Sequence, residues 1–371
     1  MRRRVRMLAA LVGVLALLAA ACAEETPSGG GSASPKIGEG TLACEVTDVG
    51  GVDDKSFNAT AYKGLTDAET EFGIEQRVLE SQTDADYAPN VQTFLQQGCD
   101  LIVTVGFLLG DATQAAAEDN PDRNFAIVDN NFFDFSTDPP TDVSFDNVKE
   151  LTFQTDEAAF LAGYLAAGMT QSGKVATYGG TNLPTVSIFM NGFVAGVRAY
   201  NQDNGTEVEA LGWDPEAQDG TFISGDPNIG FDDQDAGRRL AEDFIAEEAD
   251  IIMPVAGPSG LGGAAAAQDA GGVNLIWVDV DGCVSAEEFC SLFLTSVEKH
   301  MDVAVKDQVK AVIDGDFTGG LYVGTLENDG VGIAPYHEFD SEIPQELKDK
   351  IEELRAGIIA GDVSIDPADY A

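Results

Sequence analysis

Leu42-Ala43-Cys44-Glu45-Val46-Thr47-Asp48-Val49-Gly50-Gly51-Val52-Asp53-Asp54-Lys55-Ser56-Phe57-Asn58 joins a strand pattern to a helix pattern. The mostly apolar run Leu42–Thr47 predicts a buried strand. Asp53, Asp54 and Ser56 offer caps for a helix over 57–72, where Ala61, Leu65, Ala68 and Phe72 recur at helical spacing. A strand that runs into a capped helix is the opening unit of an alternating α/β chain.

Outward from this unit the alternation continues. Strands are predicted at Ile74–Glu80, Leu101–Val105 and Phe125–Asp129, with helices near 88–97 and 111–119 and a further strand at Val143–Phe145. The pattern then repeats as helix 151–170, strand 174–178, helix 186–202 and strand 207–212. A Gly/Asp-rich loop, helix 234–247, strand 250–255, helix 260–270 and strand 274–279 follow. A strand at 291–296, a helix at 298–314, a strand near 321–325 and a helix at 344–358 close the chain. Such alternation predicts parallel sheets with helices on both faces, and the length suffices for two such units with a cleft between them. Ligands of open α/β sheets gather at the carboxyl ends of strands. Those ends carry Asp48, Asp129, Ala256-Gly257 and Asp279. A strand-end Asp also caps helices, so the set, more than any single member, points to a site.

The N-terminus speaks to location. Arg2, Arg3, Arg4 and Arg6 precede an uncharged apolar run from Leu8 to Ala21, the layout of a secretory signal peptide over 1–21. The run is too short to span a membrane comfortably, which takes about 20 apolar residues. Leu18-Ala19-Ala20-Ala21-Cys22 resembles a bacterial lipoprotein processing site, although Ala19 stands where leucine is usual. The resemblance implies that Cys22 is lipidated and leads the mature chain. Residues 22–39, rich in Ser, Gly, Pro and Ala, read as a lipid-anchored flexible tether.

The chain has 20 Lys+Arg against 64 Asp+Glu, a net charge of −44. Residues 1–21 hold four arginines and no acid, so their removal makes it more negative still. Such a field repels nucleic acid and anionic membranes, and no nucleic-acid partner is expected. Besides Cys22 there are Cys44, Cys99, Cys283 and Cys290, an even set in an exported chain, with three possible connectivities. With two histidines, His300 and His337, and no metal-ligand spacing, neither a metal site nor a cofactor is expected. Gly257-x-x-Gly260-x-Gly262 lacks the Lys-Ser/Thr of a phosphate-binding loop. No Gly-x-Ser-x-Gly or His-centred constellation argues for an enzyme.

The stretch Asp48 to Asn58 resembles the signature of the basic membrane protein family of ABC-importer binding lipoproteins, whose best-understood members bind purine nucleosides. The likeness recurs at Ile127-Val128-Asp129, Asn191 to Val197, Pro254 to Gly260, Val278 to Asp281 and Leu294 to Lys299, in family order over about residues 40–335. It implies the type I periplasmic-binding fold, α/β, with two doubly wound parallel-sheet lobes joined by crossing strands. Lobe 1 is expected at 40–150 plus 290–321 and lobe 2 at 151–289 plus 322–371. With that fold's 2-1-3 strand order, Cys44 and Cys99 fall near the starts of adjacent strands, so the expected pairs are Cys44–Cys99 and Cys283–Cys290.

The resemblance also implies roles. Phe57 and Phe231 match the two aromatic walls that stack on a flat base; Asp48, Asn58 and Asp129 match polar grips on it. Gly257 matches a backbone contact in a turn. Asp279 and Lys299 are assigned to the sugar hydroxyls, with Lys299 opening a helix of lobe 1; a structural salt bridge is the competing role for that pair. Trp213 and Trp277 stand where nucleoside-binding members lack aromatics, and region 211–231 looks longer than in those members; either tryptophan could reshape the pocket, and the sequence leaves open whether the region does. The expected function is an extracytoplasmic, lipid-anchored solute-binding protein that takes a nucleoside between its lobes and hands it to ABC permease subunits. A binder or sensor for another small polar ligand, such as a sugar or signal molecule, is the competing reading.

Overall fold

A computed structural model of the chain describes residues 36–134, 136 and 139–370. The signal segment, Cys22 and the tether up to residue 35 lie outside the described residues. Residues 36–39, assigned above to the tether, already belong to the body: Gly38 N donates to Phe72 O at 2.9 Å and Gly38 is buried.

Twelve strands form two six-stranded sheets. In chain order they are β1 Leu42–Thr47, β2 Glu75–Leu79, β3 Leu101–Val105, β4 Asn124–Val128, β5 Val148–Phe153, β6 Lys174–Gly179, β7 Glu209–Leu211, β8 Ile251–Val255, β9 Asn274–Asp279, β10 Phe293–Lys299, β11 Gly320–Gly324 and β12 Val331–Ile333. The first sheet runs β2-β1-β3-β4-β5-β11 and the second β7-β6-β8-β9-β10-β12. Every pairing is parallel except β10 with β12. The inner strands, such as β3 and β8, are buried along their whole length, because helices cover both faces of a parallel sheet. Edge strand β2, Glu-Gln-Arg-Val-Leu, is partly exposed and correspondingly polar.

The helices are α1 Phe57–Phe72, α2 Tyr87–Gln97, α3 Gly110–Asp119, α4 Thr155–Met169, α5 Pro184–Asn204, α6 Gln234–Ala246, α7 Gly260–Ala270, α8 Met301–Asp314 and α9 Gln345–Ala360. Helix α1 packs on α8, α2 on α3, α4 on α5 and α6 on α7. α4 is buried on nearly every side from Ala158 to Ala167. Its crossing with α5 is close because glycines meet backbone there. A Cβ on Gly196 would sit 2.0 Å from Phe160 O, and one on Gly163 2.1 Å from Phe193 O. The Asn191–Val197 motif therefore has a packing reason.

Sheet pairing moves the expected crossing points. Residues 151–153 were expected to open a helix; they complete β5, whose alternating burial fits a strand, and α4 starts at Thr155. The return to the first lobe, expected near 290, comes later: β10 pairs with β9 in the second sheet, and α8 then packs on α1. Strand β11 pairs with β5 in the first sheet before β12 joins the second. The strand expected at Val143–Phe145 is instead Thr141–Val143, paired antiparallel with Phe132–Asp134. Both expected disulfides are present, Cys44–Cys99 with Cα atoms 6.1 Å apart and Cys283–Cys290 at 4.4 Å.

Candidate functional site: a cleft at the strand ends

The carboxyl ends of both sheets converge on one cavity. Its walls include Asp48, Phe57, Asn58, Asp129, Phe231, Gly257, Asp279 and Lys299, which is every ligand-binding position expected from the sequence. Asp54, Phe107, Leu183, Val186 and Phe189 join them.

Lys299 is the electrostatic hub. It is the last residue of β10, in the second sheet, and not the start of a lobe 1 helix as expected; α8 begins two residues later. Its Nζ lies 2.6 Å from Asp129 Oδ2 of the first lobe and 3.6 Å from Asp279 Oδ1 of its own. The same ammonium sits 4.8 Å from the centre of the Phe57 ring and 5.3 Å from that of Phe189. Burial disfavours the charged amine, but the two carboxylates outweigh it and hold its pKa above the ordinary value. Burial likewise raises Asp129, against the pull of Lys299. Asp129 and Asp279 both take the left-handed backbone conformation, with φ 63° and 71°, which turns each side chain off its strand into the cleft.

A second network comes from the N-terminus of α1. Asp54 accepts from the backbone N–H of Ser56 (3.0 Å), Asn58 (2.7 Å) and Ala59 (2.9 Å), satisfying donors that a helix start leaves open. Burial still raises Asp54 to about 6. Ser56 Oγ crosses to the other lobe and donates to Asp279 Oδ2 at 2.6 Å. Asn58 Nδ2 donates to Asp48 Oδ1 at 2.8 Å, and Asn58 Oδ1 has no partner within the protein. Burial pushes Asp48 up to about 8; the Asn58 bond opposes this, while Asp54, Asp129 and Asp279 add to it. A shift of that size favours the protonated form of Asp48 near neutral pH, which gives it a hydroxyl free to donate besides the oxygen that accepts from Asn58.

Phe231 closes the cavity from a loop after the single turn Pro227–Gly230. It lies so close to Gly180, at the end of β6, that a Cβ there would stand 2.5 Å from its ring. At Gly257 φ is 50°, so the backbone turns away at the end of β8 without strain. Neither of the two tryptophans that could have reshaped the pocket lines the cleft. Trp213 packs on Phe222 and donates to Asn191 Oδ1 at 2.9 Å. Trp277 is buried against Phe293 and donates to the Lys55 carbonyl at 3.3 Å. Phe189, Asp54 and Ser56 were not singled out as ligand or closure residues: Phe189 and Ser56 act across chain segments far apart in sequence, while Asp54 was read as a cap for α1 and makes local bonds of that kind. Elsewhere, His337 Nε2 lies 2.7 Å from Asp281 Oδ2 beside Cys283, whose sulfur is committed to Cys290.

Residues 42–221 and 228–366 match the family described as ABC transporter substrate-binding protein, PnrA-like. The chain belongs to that family. The interruption at 222–227 falls inside the region expected to be longer than in nucleoside-binding members. Among its relatives, an "ABC transporter nucleoside-binding protein BmpA" of Lactococcus lactis is 29% identical, covering 98% of this chain and 99% of its own. A "CD4+ T-cell-stimulating antigen" of Listeria monocytogenes is 31% identical over 86% of each. An ABC-transporter solute-binding protein of Aeropyrum pernix K1 superposes with a TM-score of 0.75 at 25% identity, covering 87% of this chain and 92% of that one. The fold is the periplasmic-binding architecture expected from the sequence. The family serves ABC transporters by binding substrate outside the cytoplasm and is not a family of enzymes. No helix among the described residues is long and apolar enough to cross a membrane.

Proposed function

We propose that this protein binds a nucleoside, preferentially a purine nucleoside, between its lobes and delivers it to an ABC permease while tethered through a lipid on Cys22. The observation that carries the reading is one cavity that combines two aromatic walls with a donor–acceptor pair. Phe57 and Phe231 offer ring faces, and stacking on such a face contributes about 1–3 kcal/mol per base. Asp48, held protonated, and the unpartnered Asn58 Oδ1 offer one donor and one acceptor, which suits the mixed edge of a heterocyclic base better than the uniform hydroxyls of a sugar. Lys299 and Asp279 supply a cation and an anion for a vicinal diol. The L. lactis relative, named for nucleoside binding, supports the same ligand class. The lipid anchor rests on the basic head, apolar run and cysteine of residues 1–22.

A thermal-shift series over purine and pyrimidine nucleosides, their free bases and simple sugars tests this. A ligand at a hundred times its Kd stabilises the folded state by about 2.7 kcal/mol. Purine nucleosides should give the largest rise in melting temperature. A rise with sugars and none with nucleosides would replace the nucleoside by a sugar.

A further inference from the structure

Helix α5 meets the cleft with one face only. Val186 and Phe189, one turn apart, both line the cavity. Asn191 comes two residues after Phe189, about 200° further round the helix, and is not among the cavity walls. Its side-chain oxygen accepts from two residues of one hairpin, Trp213 Nε1 at 2.9 Å and Gln218 Nε2 at 3.0 Å. Trp213 is buried, so its indole N–H has Asn191 in place of water.

That hairpin interrupts an edge strand. β7 pairs with β6 as far as Leu211, and the chain then turns through the short antiparallel pair Trp213–Asp214 and Asp219–Gly220. It returns with Phe222 bridged in parallel to Gly179, the last residue of β6. The returning backbone is stitched to that strand end. Gly179 N donates to Thr221 O at 3.0 Å, Ile223 N to Gly179 O at 3.0 Å and Ser224 N to Gly180 O at 3.1 Å. The Thr181 hydroxyl donates to Ser224 O at 3.0 Å. Asp226 then caps the turn Pro227–Gly230, which lies tight on the same spot: a Cβ on Gly230 would stand 2.3 Å from Thr181 Oγ1. Phe231 follows directly and forms the aromatic wall. Side chains repeat the connection, since Trp213 packs edge to face on Phe222 with ring centres 6.0 Å apart. The family match breaks over 222–227, the residues that carry most of this stitching.

We infer that Asn191 is a positioning residue for the ligand: by clamping the hairpin to the back of α5 it fixes where Phe231 stands, and so sets how long a flat ring stays stacked there. For the identity of the ligand this rests on the nucleoside reading. Both faces of α5 then serve the site, one supplying Phe189 and the other holding the segment that carries Phe231. Without the Asn191 oxygen the indole N–H is buried and unpaired, which drives the hairpin outward toward water, together with the segment stitched to it. The Arg198–Glu216 pair also joins α5 to the hairpin, but it is solvent-exposed and contributes little.

Stopped-flow binding of inosine and hydrogen exchange of the ligand-free protein test the clamp. The proteins are wild type, Asn191→Leu, Asn191→Asp, Phe231→Ala and the double variant Asn191→Leu/Phe231→Ala. Asn191→Leu should weaken inosine binding about fivefold to tenfold, the worth of about one hydrogen bond, through faster dissociation. Asn191→Asp keeps an acceptor and should recover most of that loss. Phe231→Ala should cost about tenfold or more. In its background Asn191→Leu should cost nothing further, because the ring it positions is gone. Without ligand, the amides of Ile223 and Ser224 should exchange faster in Asn191→Leu than in wild type, while those of β8 stay unchanged. Should Asn191→Leu not fold, Trp213→Phe removes the donor from the other side and carries the same expectations. Additive losses in the double variant overturn the inference, since a general loss of stability or of lobe closure produces that pattern. Unchanged exchange at 223–224, or unchanged inosine affinity in Asn191→Leu, overturns it as well. A folded wild type that binds no nucleoside overturns the nucleoside reading instead, and the exchange comparison then decides the clamp by itself.

Discussion

Strands β4 and β9 occupy the same place in the two sheets, and each leads into an aspartate of left-handed conformation, Asp129 and Asp279. The neighbouring strands β5 and β10 also correspond, yet one ends in Phe153 and the other in Lys299. After β1 the first lobe presents Asp48, while after β6 the second presents Gly180, which makes room for Phe231. The scaffold is thus duplicated and the chemistry is not. The first lobe brings Asp48, Asp54 and Asp129 to the cleft; the second brings the cation for them and the backbone clearance for an aromatic wall. Charge balance at Asp129 depends on a residue of the opposite lobe, so bringing the lobes together and neutralising the cleft are one event.

Removing the shared cation breaks this arrangement most severely. Lys299→Met keeps the apolar stem and leaves Asp129 and Asp279 buried and facing each other. Breaking a buried pair in this way costs about 3–5 kcal/mol, and urea denaturation should show a loss of that size. Asp129→Asn and Asp279→Asn should each cost less, because one carboxylate then remains for the ammonium. A Lys299→Met variant within 1 kcal/mol of wild type would mean that the hub contributes nothing to stability.

The two disulfides sharpen the contrast between lobes at smaller energy. Cys44–Cys99 ties the first lobe across a sequence separation of 55, whereas Cys283–Cys290 closes a separation of 7 in the second. Loop-closure entropy assigns about 4 kcal/mol to the first and about 2 kcal/mol to the second. Replacing each pair by alanines and comparing denaturation midpoints should show a difference of about 2 kcal/mol between the variants. Equal losses would indicate that native packing around the sulfurs, and not loop length, sets the contribution.

Much of this was legible before any coordinates. Asp48, Asp129, Asp279 and Gly257 stand out because apolar runs end at them, and strand ends are where an open α/β sheet binds. Lys299 was found as a residue but assigned to the wrong element, since Glu298-Lys299-His300 continues into a helical pattern and hides the end of β10. Residues 151–153 were drawn into the Ala-rich helix that follows for a similar reason: periodicity locates an element better than its boundary. Two features left no local trace. The Ser56–Asp279 bond joins residues 223 apart, and Phe189 enters the cleft through the crossing of α5 with the sheets. The tryptophans drew notice only because nucleoside-binding members lack aromatics there; both sit in the packing behind the walls.

The smallest expected effect concerns protons in the first lobe. Burial raises Glu45 well above the ordinary carboxyl range, Asp48 to about 8 and Asp54 to about 6; in the second lobe, burial also raises Asp156, at the start of α4, to about 6. In the unfolded chain these groups titrate near 4. Between about pH 4 and 8 the folded state therefore holds protons that the unfolded state has released, and stability must fall as pH rises through that window. Their contribution is complete below about pH 4 and lost once pH passes the folded values. From pH 7 to 8 Asp48 accounts for at most about 1 kcal/mol of the fall, and for less than that because part of its surface remains in water. Denaturation of wild type and Asp48→Asn across pH 5–9 should show a shallower decline for the variant, with the two curves diverging from pH 5 up to about 8 and running parallel above it. Nucleoside affinity should follow the same curve, since ionised Asp48 accepts where the ligand needs a donor. Parallel stability curves, or wild-type affinity that is constant from pH 6 to 9, would show that Asp48 is already ionised at neutral pH and grips the base as an acceptor.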